Sequence, residues 1–104
     1  MDVKTIGVIG AGTMGRGIAY AAALGGYRTI LEDVMPEMLI NANAWIAHTF
    51  DEGIKRGKLT SEAASAAISR IATSSSVEDV CREADFLIEA VPEEIGRASC
   101  RERV

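Results

Sequence analysis

The chain has 104 residues and a net charge of −4, with 48% hydrophobic and 25% charged residues. This length allows one domain at most, or part of one, and the composition is ordinary for a soluble globular protein. The acidic balance argues against nucleic acid and anionic membranes as partners, since both attract basic patches. One histidine and two cysteines provide no metal-ligand spacing, so no metal is expected.

The first apolar segment, from Val8 to Tyr27, lies where a secretion signal would lie. Arg16 interrupts it, however, and glycines stand where a signal helix would have leucine. No apolar run is long enough to span a membrane. We therefore expect a protein of the cytoplasm, or of an organelle matrix, without a membrane partner.

Apolar runs alternate with helical patterns along the rest of the chain. Strands are predicted at four short apolar and β-branched runs, at positions 3–10, 27–33, 70–75 and 85–91. Helices are predicted from Thr13 to the Gly25-Gly26 pair, from Pro36 through the KRGK segment, over Thr60–Ser69, and on a short face from Val77 to Ala84. This alternation predicts βαβ units, an α/β fold and a parallel sheet.

A glycine-rich turn joins the first predicted strand to the first predicted helix. Residues Gly10–Gly15 read G-A-G-T-M-G and match the pattern G-x-G-x-x-G. The pattern alone is weak, but here it follows a strand, opens a helix and precedes an acidic residue, Asp33, 18 positions after Gly15. That context is the fingerprint of dinucleotide binding. We therefore predict a Rossmann-type doubly wound parallel sheet, N-terminal half only, over residues 1–93.

The residues of this turn are predicted to hold the diphosphate of the cofactor. Gly10 makes the turn out of the strand, Gly12 lets the phosphates approach the backbone, and Gly15 lets the helix pack closely on the strand. Free amides at the helix start, around Thr13 and Met14, would face the phosphates. The predicted cofactor-binding residues of the turn are Gly10, Ala11, Gly12, Thr13, Met14 and Gly15.

Asp33 is predicted to accept hydrogen bonds from the adenosine ribose of the cofactor. A 2′-phosphate at that place would face both Asp33 and Glu32, so NAD is expected rather than NADP. The alternative is a glycine-rich turn that holds no ligand.

Three segments of the chain resemble the 3-hydroxyacyl-CoA dehydrogenase family. They are IGVIGAGTMGRGIAYAAALGGYRTILEDV, GIKRGKL and ADFLIEAVPE, and the resemblance covers residues 3–93. It implies an NAD-linked oxidation of a 3-hydroxyacyl-CoA to the 3-oxoacyl-CoA in fatty acid metabolism. The catalytic histidine–glutamate pair of the family lies after the fourth strand, so no catalytic residue is predicted here. The helical domain that completes the site and forms a homodimer in the family is expected to lie beyond this chain too.

The resemblance also implies roles for residues outside the glycine turn. Glu93 matches a family glutamate near the nicotinamide side of the cofactor, with a surface glutamate as the alternative. Thr49, Arg56 and Lys58 lie where the long helix of the family meets the phosphates of coenzyme A, with a solvated helix end as the alternative. Glu89 lies in a strand expected to be buried, so it should have a hydrogen-bonding partner there.

The last eleven residues, 94–104, read as a non-native tail. Apart from one base, their codons can spell a common short-read sequencing adapter, so we expect adapter read-through after a truncated gene fragment. A natural basic tail is the alternative.

Two other functions remain open. One is an NAD-dependent dehydrogenase of related fold that acts on a 3-hydroxy acid or a sugar acid instead of a thioester. The other is a non-catalytic NAD-binding module. The KRGK segment mildly favours a CoA substrate, because its cations suit phosphate groups.

Overall fold

The computed structural model describes residues 3–90. Within that range strands and helices follow one another in the predicted order, with two helices between the second and third strands. The elements are β1 (Thr5–Ile9), α1 (Thr13–Leu24), β2 (Arg28–Glu32), α2 (Pro36–Lys55), α3 (Ser61–Ser69), β3 (Ile71–Ser74), α4 (Val77–Glu83) and β4 (Phe86–Glu89).

The four strands form one parallel sheet in the order β3-β2-β1-β4. In the register, Ile6 of β1 lies between Thr29 of β2 and Phe86 of β4. Every residue of β1 is buried, because this strand has a partner on both sides and helices on both faces. The predicted α/β Rossmann-type sheet is therefore confirmed.

Successive residues of the central strands serve two separate cores, since their side chains point to opposite faces. The larger core joins Val8 and Leu31 to α1, α2 and α3, and its largest fully buried side chain is Phe50 of α2. The smaller core joins Ile9, Ile30 and Val80 under α4. Helices on both faces of the sheet make the arrangement doubly wound.

Close packing of α4 depends on a glycine that the sequence did not mark as special. A β-carbon on Gly7 of β1 would lie 2.5 Å from Cγ1 of Val80 and 2.9 Å from Cβ of Ala84. Both distances are too short for a real contact, so the helix sits directly over the bare backbone of Gly7.

Local signals end α1 and begin α3 and α4. After α1 the chain turns at Gly26, whose φ of +100° favours glycine. The hydroxyl of Thr60 accepts a hydrogen bond from the backbone N–H of Ala63 at 3.0 Å and caps α3. Ser76 caps α4 in the same way, by accepting from the N–H of Asp79.

The expected burial of Glu89 is wrong. Glu89 and Phe86 are both exposed in β4. Among residues 3–90 this strand pairs only with β1, so it is an edge strand and its side chains have less cover than those of β1.

Two regions with predictions lie outside the described residues, namely Glu93 and the tail at 94–104. Between residues 3 and 90, no helix combines the length and the apolar character needed to cross a membrane.

Candidate functional site

The glycine turn lies at the carboxyl end of β1, beside the end of β2. Gly10 leaves the strand with φ of +100°, and its N–H donates to the carbonyl oxygen of Glu32 at 2.7 Å. This hydrogen bond fixes the start of the turn to the neighbouring strand. Ligands of open parallel sheets bind at this edge, outside the carboxyl ends of the strands.

The second and third glycines of the motif are required for different reasons. A β-carbon on Gly15 would lie 1.7 Å from the carbonyl oxygen of Gly10, so the packing of α1 on the turn excludes any side chain there. A β-carbon on Gly12 would meet only Cε of Met38, at an ordinary 3.6 Å. Gly12 also has a negative φ of −77°, which other residues adopt. The protein's own packing therefore does not explain Gly12, and the space over it suits a ligand.

The backbone amides at the start of α1 face this space. Gly12 is the N-cap residue and has no side chain to cap the helix, and no acidic residue lies in the first turn. Within residues 3–90, no acceptor for the N–H groups of Thr13 and Met14 is present. Unpaired amides and the positive end of the helix dipole favour an anion, so this backbone fits a diphosphate.

Asp33 has a role in the fold that the motif did not predict. Its Oδ2 accepts from the N–H of Ala11, and its Oδ1 accepts from the N–H of Met35, both at 2.9 Å. Asp33 is only 8% exposed. The carboxylate therefore fastens the glycine turn to the start of α2, while each oxygen keeps capacity for a further hydrogen bond. The sequence signal was available, because an aspartate often caps the N–H two residues later.

The expectation that Glu32 would face a bound 2′-phosphate is wrong. Glu32 has no exposed surface. Helices cover both faces of the sheet, so Glu32, within β2, is buried, whereas Asp33 follows the end of the strand. Of these two residues, only Asp33 has a surface that a ribose can reach.

The residues predicted to contact coenzyme A lie along the second half of α2 and just beyond it. Thr49 is half-buried, and its hydroxyl donates to the carbonyl oxygen of Trp45 at 2.7 Å. Arg56 lies 3.7 Å from a carboxylate oxygen of Glu52 in an exposed ion pair. Lys58 is exposed in the turn after the helix.

These residues do not join the glycine turn in one pocket. The helix α2 begins beside Asp33 and has 20 residues. At 1.5 Å per residue it is about 30 Å long, so its basic end lies far from the glycine turn at the carboxyl ends of the strands.

The pKa values of Lys55 and Asp85 are shifted by contacts at the surface of the fold. Asp51 raises the pKa of the Lys55 amine through a hydrogen bond and its charge. The N–H groups of Lys4 and Thr5, each 3.0 Å from Oδ2 of Asp85, lower the pKa of that carboxyl. Asp85 lies just before β4, at the amino ends of the strands, whereas the glycine turn lies at their carboxyl ends. In residues 3–90, no cluster of histidine, cysteine and carboxylate side chains is suited to a metal ion.

Comparisons with known proteins agree with this geometry. A family model described as the NAD binding domain of 3-hydroxyacyl-CoA dehydrogenase matches residues 5–97. A 3-hydroxybutyryl-CoA dehydrogenase from Bradyrhizobium diazoefficiens is 37% identical over 91 residues, which cover 88% of this chain and 31% of that protein.

Solved structures show the same fold. The crystal structure of 3-hydroxybutyryl-CoA dehydrogenase from Escherichia coli aligns with a TM-score of 0.85 and 36% identity, covering 89% of this chain and 20% of that one. A (S)-3-hydroxybutyryl-CoA dehydrogenase from Ralstonia eutropha aligns with a TM-score of 0.83 and 37% identity, covering 88% of this chain and 32% of that one. The chain thus spans a third or less of the length of these relatives. It belongs to the 3-hydroxyacyl-CoA dehydrogenase family and corresponds to the NAD-binding domain, whose cofactor is NAD.

Proposed function

We propose that this chain is the NAD-binding part of a dehydrogenase that oxidises a 3-hydroxyacyl-CoA, such as 3-hydroxybutyryl-CoA, to the 3-oxoacyl-CoA. The observation that carries the proposal is the space over Gly12. It lies beside unpaired helix amides, and the folding of residues 3–90 gives no other reason for it. The names of the relatives, which act on acyl-CoA thioesters, support the substrate class.

Different residues at the turn are proposed to bind different parts of the cofactor. The amides of Gly12, Thr13 and Met14 hold the diphosphate, and the free capacity of the Asp33 carboxylate accepts from the adenosine ribose. For Glu93 a role near the nicotinamide side of the cofactor is proposed from the family resemblance alone. When bound, NAD supplies the hydride acceptor of the reaction.

The basic end of α2 is proposed to bind the phosphates of coenzyme A, with Thr49, Arg56 and Lys58 as contacts. Support comes from charge and from distance. The segment carries three cations at Lys55, Arg56 and Lys58, and it lies about 30 Å along α2 from the glycine turn, a separation suited to a long thioester ligand.

The chain alone is proposed to be inactive, with the catalytic residues and the dimer-forming domain in a parent enzyme of the cytoplasm. The support is the share of the relatives that the chain covers, together with the family resemblance. Residues 94–104 are proposed to be foreign to that enzyme. Sequencing the source gene past the codon for Glu93 tests this. Finding the same tail in the genomic DNA would contradict it.

The cofactor proposal is tested by titrating the 104-residue chain with NAD in a calorimeter, beside a Gly12→Ala variant. Alanine fits the folded backbone at this position, so the free energy of unfolding should fall by less than about 1 kcal/mol, the scale of an unfavourable N-cap. Its methyl group occupies the space of the diphosphate, so NAD affinity should fall at least tenfold. Equal affinity in the two proteins would remove the diphosphate from this turn.

A further inference from the structure

Arg16 is the one charged residue in the apolar segment around α1, and neither the fold nor the proposed cofactor site has yet given it a role. It lies four residues after Gly12, and its N–H donates to the carbonyl oxygen of Gly12. Helical side chains point back toward the helix N-terminus. The side chain of Arg16 therefore begins within one turn of the amides that are proposed to bind phosphate.

The guanidinium of Arg16 is fixed against α2. Its Cζ lies 4.9 Å from the ring centroid of Trp45, in a cation–π contact. Trp45 is held in turn by Tyr20, whose ring centroid is 6.0 Å away at an interplanar angle of 76°. Arg16 thus stacks on a tryptophan ring that is itself packed against Tyr20, and this contact orients the guanidinium before any ligand binds.

Arg16 is half-buried and has no counter-charge among residues 3–90. Its Nε is buried and has no hydrogen-bonding partner. No carboxylate of residues 3–90 lies within ion-pair distance of Arg16, in contrast to Arg28, Arg56 and Arg82. The terminal nitrogens of the guanidinium make no hydrogen bond either, and unlike Nε they reach solvent.

We propose that Arg16, held in place by Trp45, is a phosphate-binding residue. A planar guanidinium with free donors matches the oxygen atoms of a phosphate group in a two-point contact. The inference rests on the proposed function for the source of that phosphate. Two ligands share this chemistry. One is the diphosphate of NAD, whose proposed amides lie at the start of α1. The other is coenzyme A with its phosphates, because Trp45 lies one turn before Thr49 on α2.

Trp45 provides a direct readout, because it is the only tryptophan of the chain. Its indole N–H gives a single peak in a proton–nitrogen NMR spectrum. The 104-residue chain is titrated separately with NAD, inorganic pyrophosphate, coenzyme A and 3′-dephospho-coenzyme A. A response to NAD and pyrophosphate assigns the NAD diphosphate. A response to coenzyme A that is absent with its dephospho form assigns the 3′-phosphate, and a response to both forms assigns the CoA diphosphate.

The variants are Arg16→Met and, as the matched control, Arg28→Met. Methionine keeps an apolar stem over Trp45 and removes the unpaired Nε, so Arg16→Met should fold with an unchanged circular dichroism spectrum. The affinity of the responding ligand should fall about tenfold or more, as for the loss of a hydrogen bond to a charged group. Arg28 lies at the amino end of β2 in an exposed ion pair with Glu83, so Arg28→Met should leave every affinity unchanged.

The outcomes separate this inference from the proposed function. Affinities within twofold of the unaltered chain for all four ligands in Arg16→Met would overturn the assignment of Arg16. NAD binding would then still support the cofactor site. If pyrophosphate or coenzyme A binds through Arg16 while NAD does not bind, the cofactor proposal fails and Arg16 stands. If the unaltered chain binds none of the four, both fail.

Discussion

The carbonyl oxygen of Gly10 lies 1.7 Å from the position that a β-carbon on Gly15 would take. The turn and the first turn of α1 are thus in backbone contact, and the helix can begin here only with glycine at position 15. This contact fixes the start of α1 next to the turn, so that the free amides of the helix lie at the carboxyl ends of the strands. The third glycine of the motif serves the fold, while the second leaves room for a ligand.

Gly15→Ala should therefore destabilise the fold without any ligand. The added methyl group must push α1 away from the turn, which should lower the free energy of unfolding by about 3 kcal/mol or more, at the upper end of overpacking costs. Urea denaturation followed by circular dichroism measures this change.

Gly17→Ala is the matched control in the same helix. Nothing lies within 4 Å of a β-carbon at Gly17, so alanine should raise the stability by about 0.5–1 kcal/mol through its better helix propensity. A Gly15→Ala protein as stable as the unaltered chain would contradict the backbone contact with Gly10.

The order of strands and helices was predictable because its signals are local. Apolar runs and glycine stops act within a few residues, so the bounds of the elements agree with expectation to within three residues. The glycine turn was predictable for the same reason, since its motif, strand and helix are contiguous in the chain.

Features that depend on distant contacts were not predictable. Gly7 looks like any strand residue until α4, more than 70 positions later, packs on it. The exposure of Glu89 depends on which strands lie beside β4, and the burial of Glu32 depends on the helices that cover both faces of β2. The contact of Arg16 with Trp45 joins two helices, and periodicity within either one does not indicate it.

Substitution of Asp33 should affect both the cofactor and the fold. Asp33→Asn turns one of the two oxygens into an NH₂ group that faces a backbone N–H, either that of Ala11 or that of Met35. Stability without ligand should fall by about 1–3 kcal/mol, the cost of an unsatisfied buried partner. NAD affinity should fall as well, since the turn loses its attachment to α2.

Calorimetric titration and urea denaturation of the same variant separate the two effects. The unaltered chain should bind NAD more tightly than NADP, because a 2′-phosphate would meet the Asp33 carboxylate. Unchanged stability in Asp33→Asn would show that the two backbone hydrogen bonds are not needed. Equal affinity for NAD and NADP would remove Asp33 from the ribose site.

Asp85 should make the fold sensitive to acid. Its folded-state pKa is lowered by the N–H groups of Lys4 and Thr5, so its contribution to stability is fully present above the unfolded pKa of about 3.9. As the pH falls through that value and then through the lower folded pKa, the unfolded state takes up the proton first and this contribution is lost. Thermal melts between neutral pH and the onset of acid unfolding should show the decline.

Asp85→Asn is a suitable variant for this test, because both N–H groups donate to the same oxygen, Oδ2. Asparagine can keep that oxygen in place while it removes the charge. The variant should be less stable at neutral pH, and the gap between the two proteins should close in acid. A gap that stays constant with pH would mean that Asp85 does not titrate differently in the folded state.

The basic end of α2 should contribute to binding coenzyme A through Arg56 and Lys58. Arg56→Gln and Lys58→Gln should each weaken the affinity of the 104-residue chain for coenzyme A by about 0.5–1 kcal/mol, or two- to fivefold, as expected for exposed charge pairs. Added salt should reduce the effect through screening.

Lys55→Gln is the matched control for this cluster. It removes the same charge from the same helix end, but Lys55 is already paired with Asp51 at 3.1 Å, closer than the 3.7 Å between Arg56 and Glu52. Its loss should therefore change CoA affinity less than the loss of Arg56 or Lys58.

Pantetheine, which has no phosphate, should bind all four proteins alike. If the three substitutions weaken coenzyme A equally, the effect is one of net charge and no specific phosphate contact exists here. If none of them weakens it, the cluster is a solvated helix end, and the phosphates of coenzyme A must bind elsewhere in the enzyme.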